Sequence, residues 1–321
     1  MKLKNIYEAI IDRGMEADPR GRKAVQKSLD KVNKRYKEMK EAEKKYFDKD
    51  GLTNPYADTR ILYGTGKEEI KTALVGIDIG TGEMLLADRL SSKGEKVDLV
   101  ISHHPGGRAY ASLYEVMGMQ ADIFHKFGVP INIAEGLLEG RMKEVERRIS
   151  PANHTQAVDA ARLLDIPLMS AHTPADNHVV TYLQKMIDTK KPETVGEVLD
   201  LLLEIPEYQE SAKINAGPKL FTGNKNRSAG KIFVDMTGGT GGPKEIYEKL
   251  AASGVGTVVG MHIGDDHRKL AEDHHINVVI AGHISSDNLG MNLLFDEIQK
   301  QGSLRIIECS GFKRFSRLKK K

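Results

Sequence analysis

Three apolar segments of this chain end in histidine, and each leads into further residues that can bind a metal ion. The first segment ends in two adjacent histidines, and in the other two an aspartate lies four residues after the histidine. These residues are His103 and His104, His172 and Asp176, and His283 and Asp287. Parallel strands of an open α/β sheet place their carboxyl ends at one edge, so the three ends can converge on one site. Histidine and carboxylate are the ligands of many hydrolytic metal centres.

The adjacent pair, His103 and His104, stands between an apolar run and the sequence Pro105-Gly106-Gly107, which predicts a turn. Both imidazoles are therefore expected at the carboxyl edge of a sheet. Adjacent side chains point in different directions, which suits two neighbouring ions. A lone histidine is more often a core or surface residue, but a pair in this position favours metal binding.

The two aspartates have an alternative interpretation, because Ser, Thr and Asp also cap helices. Thr173 or Asp176 can simply cap the following helix, and on spacing alone this interpretation is the stronger one. After the third strand, a helix would place His283 and Asp287 on one face, with Cβ atoms about 5–6 Å apart, so that both could reach one ion. Ser285 or Asp287 as a helix cap is the alternative there.

The elements that must position these residues alternate, from Ile70 onward, between short apolar runs and helical stretches. Because most of the runs are nearly continuously apolar, they predict strands that helices bury on both faces. The predicted strands are residues 73–79, 97–101, 129–133, 167–170, 231–234, 256–261, 276–281 and 304–308. The pattern is that of an α/β protein with mostly parallel sheets.

The first 50 residues predict a helical hairpin. One apolar stripe lies near the start, a second runs over residues 25–39 at spacings of four and three, and residues 18–21 break the pattern between them. Residues 190–230 are more polar and contain three prolines, so a domain junction or an irregular excursion is expected there.

The composition excludes several classes of protein. The single cysteine, Cys309, rules out an internal disulfide framework and a cysteine-rich zinc module, so His and carboxylates must hold any metal. No apolar run approaches the roughly 20 residues of a membrane span, and no signal segment opens the chain. We therefore expect a cytoplasmic protein without membrane contact.

The net charge of +3 hides two basic ends. Residues 1–50 hold 15 Lys and Arg against 10 Asp and Glu, and residues 312–321 hold six basic residues and no acidic one. Such ends can bind nucleic acid or another anionic partner, but they are more often solvated surfaces.

Other residues that follow predicted strands could contact a substrate. The segment Thr237-Gly-Gly-Thr-Gly-Gly242 stands between a strand and a helix, where backbone amides can hold an anion. A tight strand-to-helix turn explains its glycines equally well. His262 ends another strand and could act as an acid, a base or a substrate contact. Arg108 and Tyr110 could contact a small anionic substrate, although a surface role is equally consistent with their positions.

This combination resembles the NGG-one-interacting factor three-like family of dinuclear metal-centre proteins, whose bacterial members are often described as homologues of type 2 GTP cyclohydrolase. The likeness covers about residues 56–311. It consists of a strand ending in His-His-Pro, a strand ending in Ala-His-Thr with an aspartate four residues after the histidine, a Gly-rich turn, and Gly-His with an acid four residues later.

The resemblance implies two three-layer α/β domains that follow the N-terminal helical hairpin. Residues 51–195 together with 272–321 would form the metal-binding domain, and residues 196–271 a smaller second domain. Residues 1–50, the helical extension predicted from the apolar spacing, lie outside the family core. The C-terminal segment would return to the first domain so that His283 meets His103.

The resemblance also implies a ligand set and an assembly. The ligands would be His103, His104, Asp176, His283 and Asp287, with two carboxylates bridging two divalent ions and water completing each shell. The family usually has glutamate where this chain has Asp287, which is one methylene shorter. His172 is expected to be an outer partner of the ligands. Zn, Fe and Mn are all admissible for this ligand set, and the family implies a toroidal homohexamer.

Two functions follow from these expectations. The first is a metal-dependent hydrolase that acts on a nucleotide or pterin-like substrate, as the resemblance implies, through a metal-activated water. The alternative is a non-enzymatic protein that holds metal and has a regulatory or interaction role, including association with nucleic acid. An open coordination position distinguishes a catalytic metal from a structural one.

Overall fold

A computed structural model describes residues 1–318, so residues 319–321 of the predicted basic tail lie outside the described residues. The helices are α1 Leu3–Glu16, α2 Arg22–Glu38, α3 Glu41–Lys44, α4 Thr81–Ser92, α5 Gly107–Ala111, α6 Leu113–Val116, α7 Met119–Lys126, α8 Ile131–Ile149, α9 Gln156–Leu164, α10 Thr173–Lys190, α11 Val195–Leu202, α12 Pro206–Lys213, α13 Ile246–Ala252, α14 Asp265–Asp273 and α15 His283–Gln299, with a short 3-10 helix at Lys49–Leu52. The strands are β1 Ile61–Tyr63, β2 Thr72–Gly76, β3 Leu99–Ser102, β4 Leu168–Ser170, β5 Lys219–Thr222, β6 Lys231–Asp235, β7 Val255–Gly260, β8 Asn277–Ile280 and β9 Arg305–Glu308.

The predicted N-terminal helices are present as α1 and α2. Gly21, with φ of 88°, separates them within the break expected at residues 18–21. Helix α1 buries Leu3, Ile6 and Ile10 against the body of the protein, whereas α2 buries only Val25 and Leu29. Apolar burial therefore fixes α1 more firmly than α2.

The first sheet has the strand order β1-β4-β3-β2-β9 and is parallel except for β1. Strands β2 and β3 are buried along their whole length, as their continuous apolar sequences predict. Apolar residues of α4 and α9 cover one face, and those of α1, α10 and α15 cover the other. The result is the predicted three-layer arrangement.

The second sheet has the order β5-β8-β7-β6 and is parallel except for β5. Helices α7, α8 and α13 cover one face, while α10, α11 and α15 cover the other. Helices α10 and α15 therefore lie between the two sheets. They pack so closely that a Cβ on Gly290 would lie 2.5 Å from the Ala175 carbonyl oxygen. Because both helices begin at predicted site residues, this packing brings those residues together.

One predicted strand, residues 129–133, is wrong, because α8 begins at Ile131 directly after Pro130. Proline is well suited to the start of a helix, and the apolar run forms part of its buried side. Strands β1 and β5 escaped the sequence prediction. Both are short antiparallel edge strands, and β5 is partly exposed, so neither has the apolar run of a central strand.

The domain boundaries stay a prediction. Of the strands in residues 272–321, β8 pairs within the second sheet and β9 within the first. The chain thus passes from one sheet to the other through α15.

The C-terminal basic segment packs against the body of the protein. Arg317 makes two bonds to the buried Glu207, at 2.8 and 2.7 Å. Arg314 pairs with Asp296, and Lys313 pairs with Glu210. These three cations are therefore bound to carboxylates of the protein itself. No helix in residues 1–318 is long and apolar enough to cross a membrane.

Candidate metal centre

The first histidine pair is held rigidly at the end of β3. The backbone amides of His103 and His104 donate to the carbonyls of Gly76 and Ile77, each at 2.9 Å, so the pairing with the neighbouring strand continues past the last residue of β3. His103 is fully buried, whereas His104 is partly exposed. The two imidazoles therefore leave one sheet edge at two different depths.

Both aspartates point at these histidines. His103 Nε2 lies 3.4 Å from Asp176 Oδ1 and 3.4 Å from Asp287 Oδ1. Asp287 Oδ2 lies 3.5 Å from His104 Nε2 and 3.7 Å from His283 Nε2. The structure thus brings together all five residues of the predicted ligand set.

The outer nitrogen of each of three imidazoles has its own acceptor. His103 Nδ1 lies 3.2 Å from the Ala171 carbonyl oxygen, and His104 Nδ1 lies 2.7 Å from Asp78. His172 Nδ1 lies 2.8 Å from Asp58. If each Nδ1 donates its proton outward, each Nε2 presents a lone pair to the interior of the site. This arrangement fixes metal-binding histidines in many proteins.

The inner atoms of the site lack hydrogen-bond partners. His103 Nε2, Asp176 Oδ1 and both carboxylate oxygens of Asp287 are buried and make no hydrogen bond within residues 1–318. Leaving such groups without a partner costs free energy, so buried polar atoms of this kind require an explanation. A cation placed among these acceptors removes the cost, and the residues therefore fit a metal ion.

The electrostatics of the site also favour a positive charge. Burial would lower the pKa of His103, but Asp287 and Asp176 raise it well above its ordinary value. Burial would likewise raise the pKa of Asp287, but the imidazoles of His103 and His104 hold it far below its usual range. The carboxylates thus attract a proton to the position where a metal ion would bind.

His172 lies closer to the centre than the sequence indicated. Its Nε2 is 3.8 Å from Asp176 Oδ2, and its ring centroid is 4.8 Å from that of His103. The ring nitrogens of His103, His104 and His172 are close enough to one another to hold one ion. These distances allow His172 to act as a ligand as well as an outer partner.

Sequence reasoning missed Asp58 and Asp78, the carboxylates behind His172 and His104. Asp78 follows β2, so the rule that revealed the histidines could also have revealed it. Asp58 precedes β1, and only the antiparallel direction of β1 places it at the same sheet edge. Burial opposes ionisation of Asp58, but His172 and Thr173 hold the pKa of its carboxyl below the ordinary value.

A cavity of about 790 Å³ opens from the metal centre towards the second sheet. Asp176, His283 and Asp287 line one end, and His262 lies next to His283, with ring centroids 5.1 Å apart. The Gly-rich segment after β6 lines the other side. Arg108 instead pairs with Asp48 and Asp50, at 3.1 and 2.7 Å, and does not line this cavity.

Comparison with known proteins identifies the fold. No family model and no curated protein matches the chain. A solved structure of a NIF3 superfamily protein from Sphaerobacter thermophilus is 28% identical, with a TM-score of 0.70, and the match covers 80% of this chain and 92% of that one. This chain is NIF3-like in both fold and sequence. The family predicted from the histidine motifs, of which NIF3 is the abbreviation, is therefore confirmed.

Two more distant solved structures also match. Reduced HcgD from Methanocaldococcus jannaschii is 16% identical, with a TM-score of 0.48, over 77% of this chain and 87% of that one. A Bacillus cereus protein related to NIF3 is 11% identical, with a TM-score of 0.43, over 78% and 89%. The His and Asp groups of this NIF3-like chain accordingly suit a metal-binding protein.

Proposed function

We propose that the protein binds two divalent metal ions and uses them to hydrolyse a small nucleotide or pterin-like substrate. The observation that supports this proposal best is the set of buried inner atoms without partners, contributed by His103, Asp176 and Asp287. One proton cannot satisfy all of these atoms, since four acceptor positions converge there. The predicted ligands remain His103, His104, Asp176, His283 and Asp287.

The position of Asp287 supports a bridging role. Its Oδ1 faces His103, whereas its Oδ2 faces His104 and His283. One carboxylate with two differently directed oxygens can serve two neighbouring ions, even though its side chain is shorter than glutamate. Zn, Fe and Mn all accept imidazole and carboxylate ligands, so the residues do not choose among them.

Residues around the candidate centre could orient its imidazoles and contact the substrate. Bound divalent ions would supply a Lewis acid and a more acidic water for hydrolysis. Asp58 and Asp78 keep the imidazoles of His172 and His104 oriented, which maintains the geometry during turnover. His262 faces the cavity beside His283, and burial, followed by the neighbouring His283, lowers its pKa. A neutral His262 can accept a proton from a substrate or donate a hydrogen bond to it.

We further propose that the protein forms a homohexamer with the toroidal form implied by its family. Light scattering coupled to gel filtration tests this assembly, and a monomer at micromolar concentration would contradict it.

A regulatory or nucleic-acid role is the alternative. The surface that could support it lies on α2 and not on the C-terminal segment of residues 313–317. Lys313, Arg314 and Arg317 are paired with carboxylates of the protein itself, whereas the α2 lysines are exposed and form no ion pair within residues 1–318. These α2 residues are Lys27, Lys31 and Lys34. Salt-sensitive binding to nucleic acid that is lost when these three lysines become alanine would favour this alternative.

Turnover and metal content together test the hydrolase. We expect protein purified without chelator to contain metal and to hydrolyse at least one member of a nucleotide and phosphoester panel. His104→Ala should lower that rate by about 100-fold or more, since it removes a proposed ligand. His274→Ala, at a half-buried histidine that directly follows α14 and is not among the proposed ligands, is the matched control. Equal rates for wild type and His104→Ala would show that any activity arises elsewhere.

A further inference from the structure

We propose that the loop formed by residues 237–242 binds a phosphoryl group of the substrate through its backbone amides. This inference rests on the proposed function in one respect, since it assigns a chemical class to that substrate. Anion binding by the loop itself can be measured without metal.

Three carbonyl groups of the loop are bound by a residue of α7 that does not line the cavity. Gln120 of α7 donates to the carbonyls of Thr237, Gly238 and Thr240, at 3.5, 2.9 and 2.6 Å. This glutamine is buried, and its amide group thus fixes the direction of three peptide groups.

Two further carbonyls accept hydrogen bonds from side chains that line the cavity. Arg141 Nε donates to the Gly241 carbonyl at 3.1 Å, and His267 Nε2 donates to the Gly242 carbonyl at 3.0 Å. Five consecutive or nearly consecutive carbonyls therefore accept hydrogen bonds from side chains of the surrounding helices.

The amide groups of the same loop have no acceptor. The N–H groups of Gly238, Gly239, Gly241 and Gly242 donate to no group within residues 1–318, and only Thr240 donates within the loop. In a planar trans peptide, the N–H points opposite to the preceding C=O. The amides that follow the carbonyls bound by Gln120 therefore point away from α7. Successive backbone amides without acceptors can form a site for an anion.

Gly241 shows that the space in front of these amides is kept open. Turn geometry accounts for Gly238 and Gly239, whose φ angles are 89° and 82°. Packing accounts for Gly242, where a Cβ would lie 3.0 Å from both Gln120 and Phe124. Gly241 has neither constraint, since its φ is ordinary and a Cβ would meet only His262 Cε1, at 3.9 Å. A side chain at this position would instead occupy the cavity.

The loop and the metal centre share that cavity. His262 lies between Gly241 and His283, and His283 Nε2 is 3.7 Å from Asp287. A substrate with a phosphoryl group at one end could therefore place its reacting group at the metal centre.

The charges near the loop are mixed. Arg141 pairs with Glu144 at 2.8 Å, and Lys244 pairs with Asp266 at 2.9 Å. The side chain of Asp235, at the end of β6, makes no hydrogen bond or ion pair within residues 1–318, and burial raises its pKa to about 6. The amides must therefore provide the main attraction for the anion, with Arg141 and Lys244 nearby.

Calorimetric titration with inorganic phosphate tests the subsite on the full-length protein. Gly241→Leu fills the space before the amides without adding charge, and we expect it to weaken phosphate binding by about tenfold or more, because charge-assisted hydrogen bonds are lost. Gly136→Leu is the control, since Gly136 is exposed on α8 and nothing lies within 4 Å of its added Cβ. Unaltered phosphate affinity in Gly241→Leu would overturn the proposal.

Asp287→Asn separates this subsite from the metal centre. It should impair metal binding, yet metal-free Asp287→Asn should still bind phosphate. Phosphate binding that disappears together with the metal would assign the anion to the ions and overturn the subsite. Phosphate binding by the metal-loaded wild-type protein without any turnover would instead contradict the hydrolase proposal alone.

Two more measurements use the wild-type protein, so they do not depend on a variant that could misfold. They also distinguish the loop from an unrelated ion site. In crystals of the wild-type protein soaked in tungstate, an anomalous peak should lie within hydrogen-bond distance of the Gly239 and Gly241 amides. A peak only at the metal centre would overturn the proposal. Glycerol 3-phosphate should compete with inorganic phosphate, and failure to compete would show that the loop serves a free ion and not a substrate group.

Discussion

The two ends of the cavity have opposite hydrogen-bonding needs. At the candidate metal centre, buried acceptors of His103, Asp176 and Asp287 have no donor among the described residues. At the Gly-rich loop, the glycine amides have no acceptor within residues 1–318, while most carbonyls of the loop are bound. A cation satisfies the first end and an anion the second. The comparison indicates that the cavity is built for a ligand of mixed character and not for an apolar molecule.

The two ends are also built by different means. The metal centre uses side chains at strand ends, held from behind by Asp58 and Asp78. The loop uses the main chain, held from behind by Gln120. Removing a ligand side chain should therefore abolish metal binding. Anion binding by the loop should instead be weakened by added side-chain atoms and by loss of Gln120.

The largest effect is expected from Asp287→Asn. Asparagine retains the shape but loses the charge that faces three imidazoles, so metal affinity should fall by about 100-fold or more, beyond the roughly 10- to 100-fold loss typical of an outer partner. Metal content after competition with a chelator measures this effect. Asp200→Asn, at an exposed position of α11, is the control. Metal affinity close to that of the wild type would remove Asp287 from the ligand set.

Gln120→Ala tests the support of the opposite end. The change leaves three carbonyls without their donor and should lower the free energy of unfolding by about 2 kcal/mol. Phosphate affinity should fall several-fold because the peptide groups can rotate, but metal content should not change. Gln156→Ala, at an exposed residue of α9, controls for loss of a glutamine. A simultaneous loss of metal would show that the two ends are not independent.

The sequence predicted which residues converge at the candidate metal centre, but it did not distinguish between the two interpretations of the Gly-rich loop. His103, His104 and His283 all follow apolar strands, and the common edge of parallel strands is a rule that can be applied without coordinates. Asp58 could not be found in this way, since it depends on the direction of the short strand β1.

For the loop, the glycines alone left a tight turn and an anion site equally plausible. The feature that favours an anion site is Gln120, which is more than 100 residues away in the chain and which no local pattern connects to Gly238. The fold shows the same division. Buried parallel strands were recognisable from their apolar runs, but the edge strands β1 and β5 were not, because tertiary pairing determines them.

Asp235 does not fit the contrast between acceptors at the candidate metal centre and donors at the Gly-rich loop. It is a carboxylate, yet it lines the cavity beside the loop. Its pKa in the folded protein is raised to about 6 by burial, above the value of about 3.9 expected in the unfolded chain. The unfolded chain therefore loses this proton at a lower pH, and the charge destabilises the fold increasingly as the pH rises from about 4 to above 6.

Asp235→Asn should remove that penalty, with the smallest effect of the three substitutions. We expect the metal-free variant to be more stable than the wild type by on the order of 1 kcal/mol at pH 8, with a smaller gain at pH 5. Urea unfolding at both pH values measures the difference, and Asp200→Asn should change stability little at either. Phosphate should also bind Asp235→Asn more tightly at pH 8, because the repelling charge is gone. If Asp235→Asn gains the same free energy of unfolding at both pH values, Asp235 is not the titrating group. The loop end of the cavity would then hold no carboxylate whose charge opposes anion binding.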